Sequence, residues 1–232
     1  NTLALGNLSD AAGNNTVALG NETSTAGEFS VAIGNASTTD GGYSIGIGNN
    51  AKGEGDNTIS VGNTSNASGN ISIAIGNGGI SSGETSVAIG NGAQSEGNQT
   101  ISFGNKSQAK LENAIAIGNE TIANGLSSVA VGNQAQAAGT DSLATGNTAL
   151  AKGVNTVAMG NKTEAVGDNS IAIGNEAQAE GKYSLAIGNS AISVGDYALA
   201  IGNEAQAAGA YSLALGNTAK SSGAYTLALG NE

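Results

Sequence analysis

The sequence predicts an all-β solenoid of parallel strands stacked one turn on the next, and three observations carry that prediction. A Gly-Asn pair recurs every fourteen residues, at Gly6-Asn7, Gly20-Asn21, Gly34-Asn35 and onward to Gly230-Asn231, with no insertion or deletion. Two aliphatic residues spaced by two precede the pair, as in Ser30-Val31-Ala32-Ile33-Gly34-Asn35. A second glycine closes the turn seven residues after the first, from Gly13 and Gly27 to Gly209 and Gly223, with Leu111 the one exception. A short fixed period marks units that cannot bury an apolar face alone and must stack.

The first strand of each turn lies just before the Gly-Asn pair. Its aliphatic positions are Leu3 and Leu5, Val17 and Leu19, Val31 and Ile33, through to Leu227 and Leu229, with Phe103, Thr145 and Met159 as unusual occupants. Apolar residues at a spacing of two, many of them β-branched, spell a strand. The alternate positions hold only small residues: Ala18, Ala32, Gly46 or Ser60 between the aliphatics, and Ser, Thr or Ala four before the glycine. Side chains alternate across a strand, so both faces are uniform and both are expected to be buried. We expect the Val and Ile row inside the roll and the Ser, Thr and Ala row against neighbouring chains; the exchanged assignment remains open.

The second strand runs from about two to six residues after the glycine, as in Glu176-Ala177-Gln178-Ala179-Glu180. Its third and fifth positions are small throughout, whereas the fourth and sixth are Gln, Glu, Lys, Ser or an occasional aliphatic. One face therefore packs and the other meets water. The two reversals per turn call for positive φ, which glycine supplies. The invariant asparagine tolerates the same region and can stack its amide on that of the next turn. At about 4.8 Å per turn the whole series spans roughly 80 Å, a rod with a core one or two side chains deep.

Seven Lys against 18 Asp plus Glu give a net charge of −11, spread along the chain, which repels nucleic acid and anionic lipid. His and Cys are absent. The usual transition-metal ligands and nucleophile–base pairs go with them, and the acids share no fixed register, so no catalysis, metal or cofactor is expected. Sequons such as Asn21-Glu22-Thr23 follow from the repeat itself. No signal peptide or apolar span is present, and neither end carries an atypical capping turn, so residues 1–232 are expected to be one head segment of a longer protein.

The unit Ser-Val-Ala-Ile-Gly-Asn-x-Ala-x-Ala-x-Gly, nearly intact at Ser170 to Gly181 and Ser184 to Gly195, resembles the fourteen-residue repeat of the YadA-like head of trimeric autotransporter adhesins, and the resemblance covers the whole chain. It implies a left-handed parallel β-roll, a parallel homotrimer, and display on the bacterial surface through an outer-membrane anchor outside this chain. It further implies binding to host matrix glycoproteins such as collagen, fibronectin or laminin, or to a host-cell receptor. A structural spacer or a self-association module for autoagglutination and biofilm is the alternative.

Two sets of residues are candidates for receptor contact. Ile192 and Val194 share the outward face of one second strand, with Tyr183 and Tyr197 at nearby corners and Gln178, Glu180 and Gln206 around them. Apolar anchors inside a polar rim are the anatomy of a binding patch. The irregular Lys110-Leu111-Glu112 is the second candidate. The tyrosines, Tyr43, Tyr183, Tyr197, Tyr211 and Tyr225, share one register with Phe29 and read first as a stiffening ladder.

Overall fold

The computed structural model describes residues 1–231, which form strands and tight corners and fall into two compact units, Asn1–Ile117 and Gly118–Glu232. Both are built alike. In the first, three-residue strands run from Leu3–Leu5 to Ile115–Ile117, with Val17–Asn21 and Val31–Asn35 extended to five, and two-residue strands run from Asp10–Ala11 to Gln108–Ala109. In the second, the short strands run from Ile122–Ala123 to Lys220–Ser221 and the long ones from Val129–Val131 to Leu227–Leu229.

Each strand pairs in parallel with its equivalent fourteen residues away. Leu185, Ala186 and Ile187 lie against Leu199, Ala200 and Ile201, and Gln178 and Ala179 against Ile192 and Ser193. Two parallel sheets thus face each other across a narrow lumen. The corners join the ladder too: the Tyr197 N–H donates to the Lys182 carbonyl and the Glu204 N–H to the Asn189 carbonyl, both at 2.8 Å.

The lumen corrects the expected orientation of the first strand. Ala172, Ala186 and Ala200 between the aliphatics are wholly buried, as are Ser30, Thr58 and Ser170 four before the glycine, while the Val and Ile row points away from the second sheet. Ile47, Ile75, Ile117 and Ile173 are 36 to 38% exposed. Width decides the matter. A methyl placed on Gly46 would already sit 3.0 Å from Ser37 Oγ and 3.1 Å from Thr39 Cγ2, so a four-carbon side chain has no room. The Ser and Thr row has its own reason to face inward, because its hydroxyls donate to the carbonyl of the second glycine and close that corner. Thr156 Oγ1 reaches Gly153 at 2.8 Å and Ser128 Oγ reaches Gly125 at 2.7 Å.

The glycines also act differently from expectation. The first does adopt positive φ, +137° at Gly188, and a Cβ there would lie 2.2 Å from the Gly202 carbonyl oxygen. The second keeps an ordinary φ and is required by proximity alone: a Cβ on Gly181 would stand 2.1 Å from the oxygen of Gly195. The left-handed residues at the two corners are mostly non-glycine, such as Glu176 (φ 55°) and Tyr183 (φ 57°), with Gly78 and Gly92 the glycines among them, and the asparagine of the Gly-Asn pair is not one of them. That asparagine instead forms the expected amide ladder. In the second unit the Nδ2 of Asn119, Asn133, Asn147, Asn161 and Asn175 each donates to Oδ1 of the next at 2.8–2.9 Å.

Candidate functional site

Three surfaces remain available on this scaffold: the apolar outer face of the long strands, the aromatic corner, and the outer face of the short strands. The first is the most extended. It carries two aliphatic rows, and the row next to the glycine stands further out, with Phe103 52%, Met159 40% and Ile173 37% exposed.

The aromatic corner places rings one above another because the residue five before each glycine is left-handed and projects outward at the inter-strand spacing. Tyr183, Tyr197, Tyr211 and Tyr225 stack with centroids 4.9, 4.9 and 5.1 Å apart and planes within 7°. Phe29 and Tyr43 form a shorter stack at 5.0 Å and 11°. Facing rings cover one another's π-surfaces and leave edges and hydroxyls to the solvent. Beside them, Asp196 Oδ1 accepts the Lys182 N–H at 2.8 Å and Lys182 Nζ approaches Asp168 at 3.9 Å.

On the second sheet, Ile192 is half-buried and Val194 is 44% exposed, both outward from one turn. Ile192 lies in register between Gln178 and Gln206. The fold therefore brings together Ile192 with Val194, and Tyr183 with Tyr197, as two pairs. Lys110, Leu111 and Glu112 are all exposed and belong to the other unit, where Gly97 packs against the Leu111 backbone. A feature not singled out from sequence is a groove of about 360 Å³ lined by Glu120, Ile122, Gln134, Gln136, Leu150 and Glu164. Its signal was the spacing of Ile122 and Leu150 by two whole turns, with the polar Gln136 between them. Glu120 accepts from Gln134 Nε2 at 2.8 Å across its rim. Among the described residues no cluster of three His, Cys, Asp or Glu side chains is placed to hold a metal, and no helix is long and apolar enough to cross a membrane.

The turn built here, with its Gly-Asn corner, small lumen residues and outward aliphatics, is the unit that a family model recognises. The model of the YadA head domain repeat, two copies long, matches residues 1–23, 26–51, 54–78, 81–107, 95–121 and 123–149, and then overlapping windows from 151–177 to 207–232. The chain belongs to the YadA head domain repeat family. YadA heads are non-enzymatic adhesin domains, and an adhesin-type function follows for this chain. Among solved structures, the collagen-binding domain of the Yersinia adhesin YadA is similar at 25% identity, over 60% of this chain and 70% of that one, with a TM-score of 0.43. No curated protein matches the chain.

Proposed function

We propose that this chain is the head of a bacterial surface adhesin that assembles as a parallel homotrimer through its Val and Ile face and binds a host matrix glycoprotein or host-cell receptor on its outer sheet. The observation that carries the assembly is the uncovered apolar face. Two side chains per turn stand outside the roll along each unit, and Phe103, Ile117, Met159 and Ile173 among them are more than a third exposed. A face of that kind, repeated at the inter-strand spacing, is matched by a copy of itself, and membership of the YadA head family supports three copies. Sedimentation equilibrium should give a threefold mass. Ile187→Glu, which places a charge on that face and leaves the lumen untouched, should dissociate the assembly; a folded wild-type monomer rejects it.

For the receptor, Ile192 and Val194 are the proposed anchors, with Tyr183 and Tyr197 as neighbours, and collagen, fibronectin and laminin are the first ligands to test. Three copies of a weak site around a trimer gain avidity on a crowded surface. Changing both Ile192 and Val194 to Gln should preserve folding, since both side chains face out, and should lower binding at least tenfold. Wild-type binding by that double variant removes the patch and moves attention to Lys110, Leu111 and Glu112. The spacer reading makes a different prediction: deletion of any block of whole turns shortens reach and leaves adhesion intact.

A further inference from the structure

A face that repeats every turn offers no obvious register to a partner with the same repeat. Strands stack about 4.8 Å apart. A slide of one turn between chains sets Val87 and Ile89 where Ile73 and Ile75 had been, with almost no change in shape or chemistry. The same holds for Leu185 and Ile187 against Leu199 and Ile201. Something must mark the turns.

We propose that Phe103 in the first unit and Thr145 in the second are the register keys of the assembly, each making its own layer of the inter-chain core distinguishable from the layers on either side. The proposal rests on the homotrimer formed through the Val and Ile face. Both residues stand in the outer of the two aliphatic rows. Phe103 is 52% exposed and lies between Ile89 and Ile117 in its sheet. Thr145 is partly exposed and lies between Val131 and Met159.

In register, three phenyl rings share one layer and three hydroxyls share another. The hydroxyls can then donate and accept among themselves, because each threonine carries one donor and two acceptor lone pairs. One turn out of register, a phenyl ring enters a layer sized for isoleucine, and a Thr145 hydroxyl is buried against Val131 or Met159 of its neighbours without a partner. Leaving a buried hydroxyl unpaired is costly enough to disfavour the slipped state by roughly tenfold or more. A single polar residue in an otherwise apolar seam fixes register in coiled coils by the same logic. Here a bulky key and a polar key stand in different units, so each unit carries its own mark.

The chain has no cysteine, which makes the test clean. Full-length chains carrying Ile187→Cys are co-expressed with chains carrying Ile201→Cys, two positions one turn apart on the face. After oxidation, wild-type register allows 187–187 and 201–201 disulfides, while 187–201 disulfides between chains report a one-turn slip. With native Phe103 and Thr145, same-turn disulfides should dominate. In the Phe103→Ile/Thr145→Ile background the mixed product should rise at least tenfold while the sedimentation mass stays threefold. An unchanged mixed fraction in that background overturns the keys and leaves the trimer standing. Mixed products already abundant in the native background, or no same-turn disulfides there, also overturn them. A monomeric mass removes the assembly itself, a failure the sedimentation run separates from the others.

Discussion

The two units share a backbone plan and differ in what fills the lumen. In the first, consecutive turns bury Thr16, Thr23 and Thr25, then Ser30, Ser37 and Thr39, and pairs such as Ser60–Ser65 and Ser102–Ser107 hydrogen-bond across the space at 2.8 and 2.7 Å. In the second, Ala135, Ala137, Ala149 and Ala151, and later Ala198, Ala200, Ala205 and Ala207, fill the same positions with methyl groups. Ser and Ala are close in volume, so the lumen accepts either. They differ in what they demand: a buried hydroxyl needs a partner and a methyl does not. Thr23, Thr25 and Thr39 leave their Oγ1 buried and unpaired. The second unit has fewer hydroxyls on its short strands and carries the four-ring tyrosine stack on its corner instead.

The largest expected effect erases the difference. Gly83→Ala in the first unit and Gly181→Ala in the second drive a methyl to within 1.8 and 2.1 Å of the next turn's carbonyl oxygen. Each should cost about 3 kcal/mol or more and disrupt its own unit to the same degree, read by circular dichroism melts and local hydrogen exchange. Next comes a pair of exchanges that swaps the lumen chemistry. Thr25→Val and Thr39→Val remove unpaired hydroxyls at nearly constant volume and should each stabilise by about 1 kcal/mol. Ala137→Thr puts one into the methyl-lined lumen and should destabilise by about 2 kcal/mol through overpacking and an unpaired hydroxyl. Unchanged stability in all three variants, or a shift of the same sign in all three, would deny that the lining matters. The smallest effects lie at the corners. Ile71 is a β-branched residue held at φ 56°, so Ile71→Asn should gain about 1 kcal/mol. Tyr211→Ala breaks two ring contacts and should lose about 1 kcal/mol, measured as a shift of the second unit's melt.

The period, the strands, the two corners per turn and the asparagine ladder were all readable from the spacing of Gly, Asn and the aliphatics. The direction of the first strand was not. Alternation states that two faces exist and that each is uniform, yet the habit of placing the largest apolar side chains innermost chose the wrong one. What settles it is the distance between the sheets, set by backbones approaching at glycines, and no residue pattern states that distance directly. A clue was present in the second strand, whose inward positions are Ala and Ser as well, so that small faces small. The aromatic register was plain in the sequence, since Tyr183, Tyr197, Tyr211 and Tyr225 sit fourteen apart. Their mutual stacking, which hides the ring faces from a ligand, needed the left-handed corner. The pairing of Ile192 with Val194 followed from alternation, while the groove beside Ile122 and Leu150 depends on how side chains of three successive turns lie against one another, which spacing alone does not state.

The largest side chain wholly buried inside these units is threonine. Opening such a roll wets a great deal of peptide and rather little hydrocarbon, and the two contribute to heat capacity with opposite sign. The heat-capacity increment of the roll itself should therefore fall below the about 12–15 cal/mol/K per residue of ordinary domains. A small increment flattens the curve of stability against temperature, so the fold should hold nearly the same strength in the cold as in the warm.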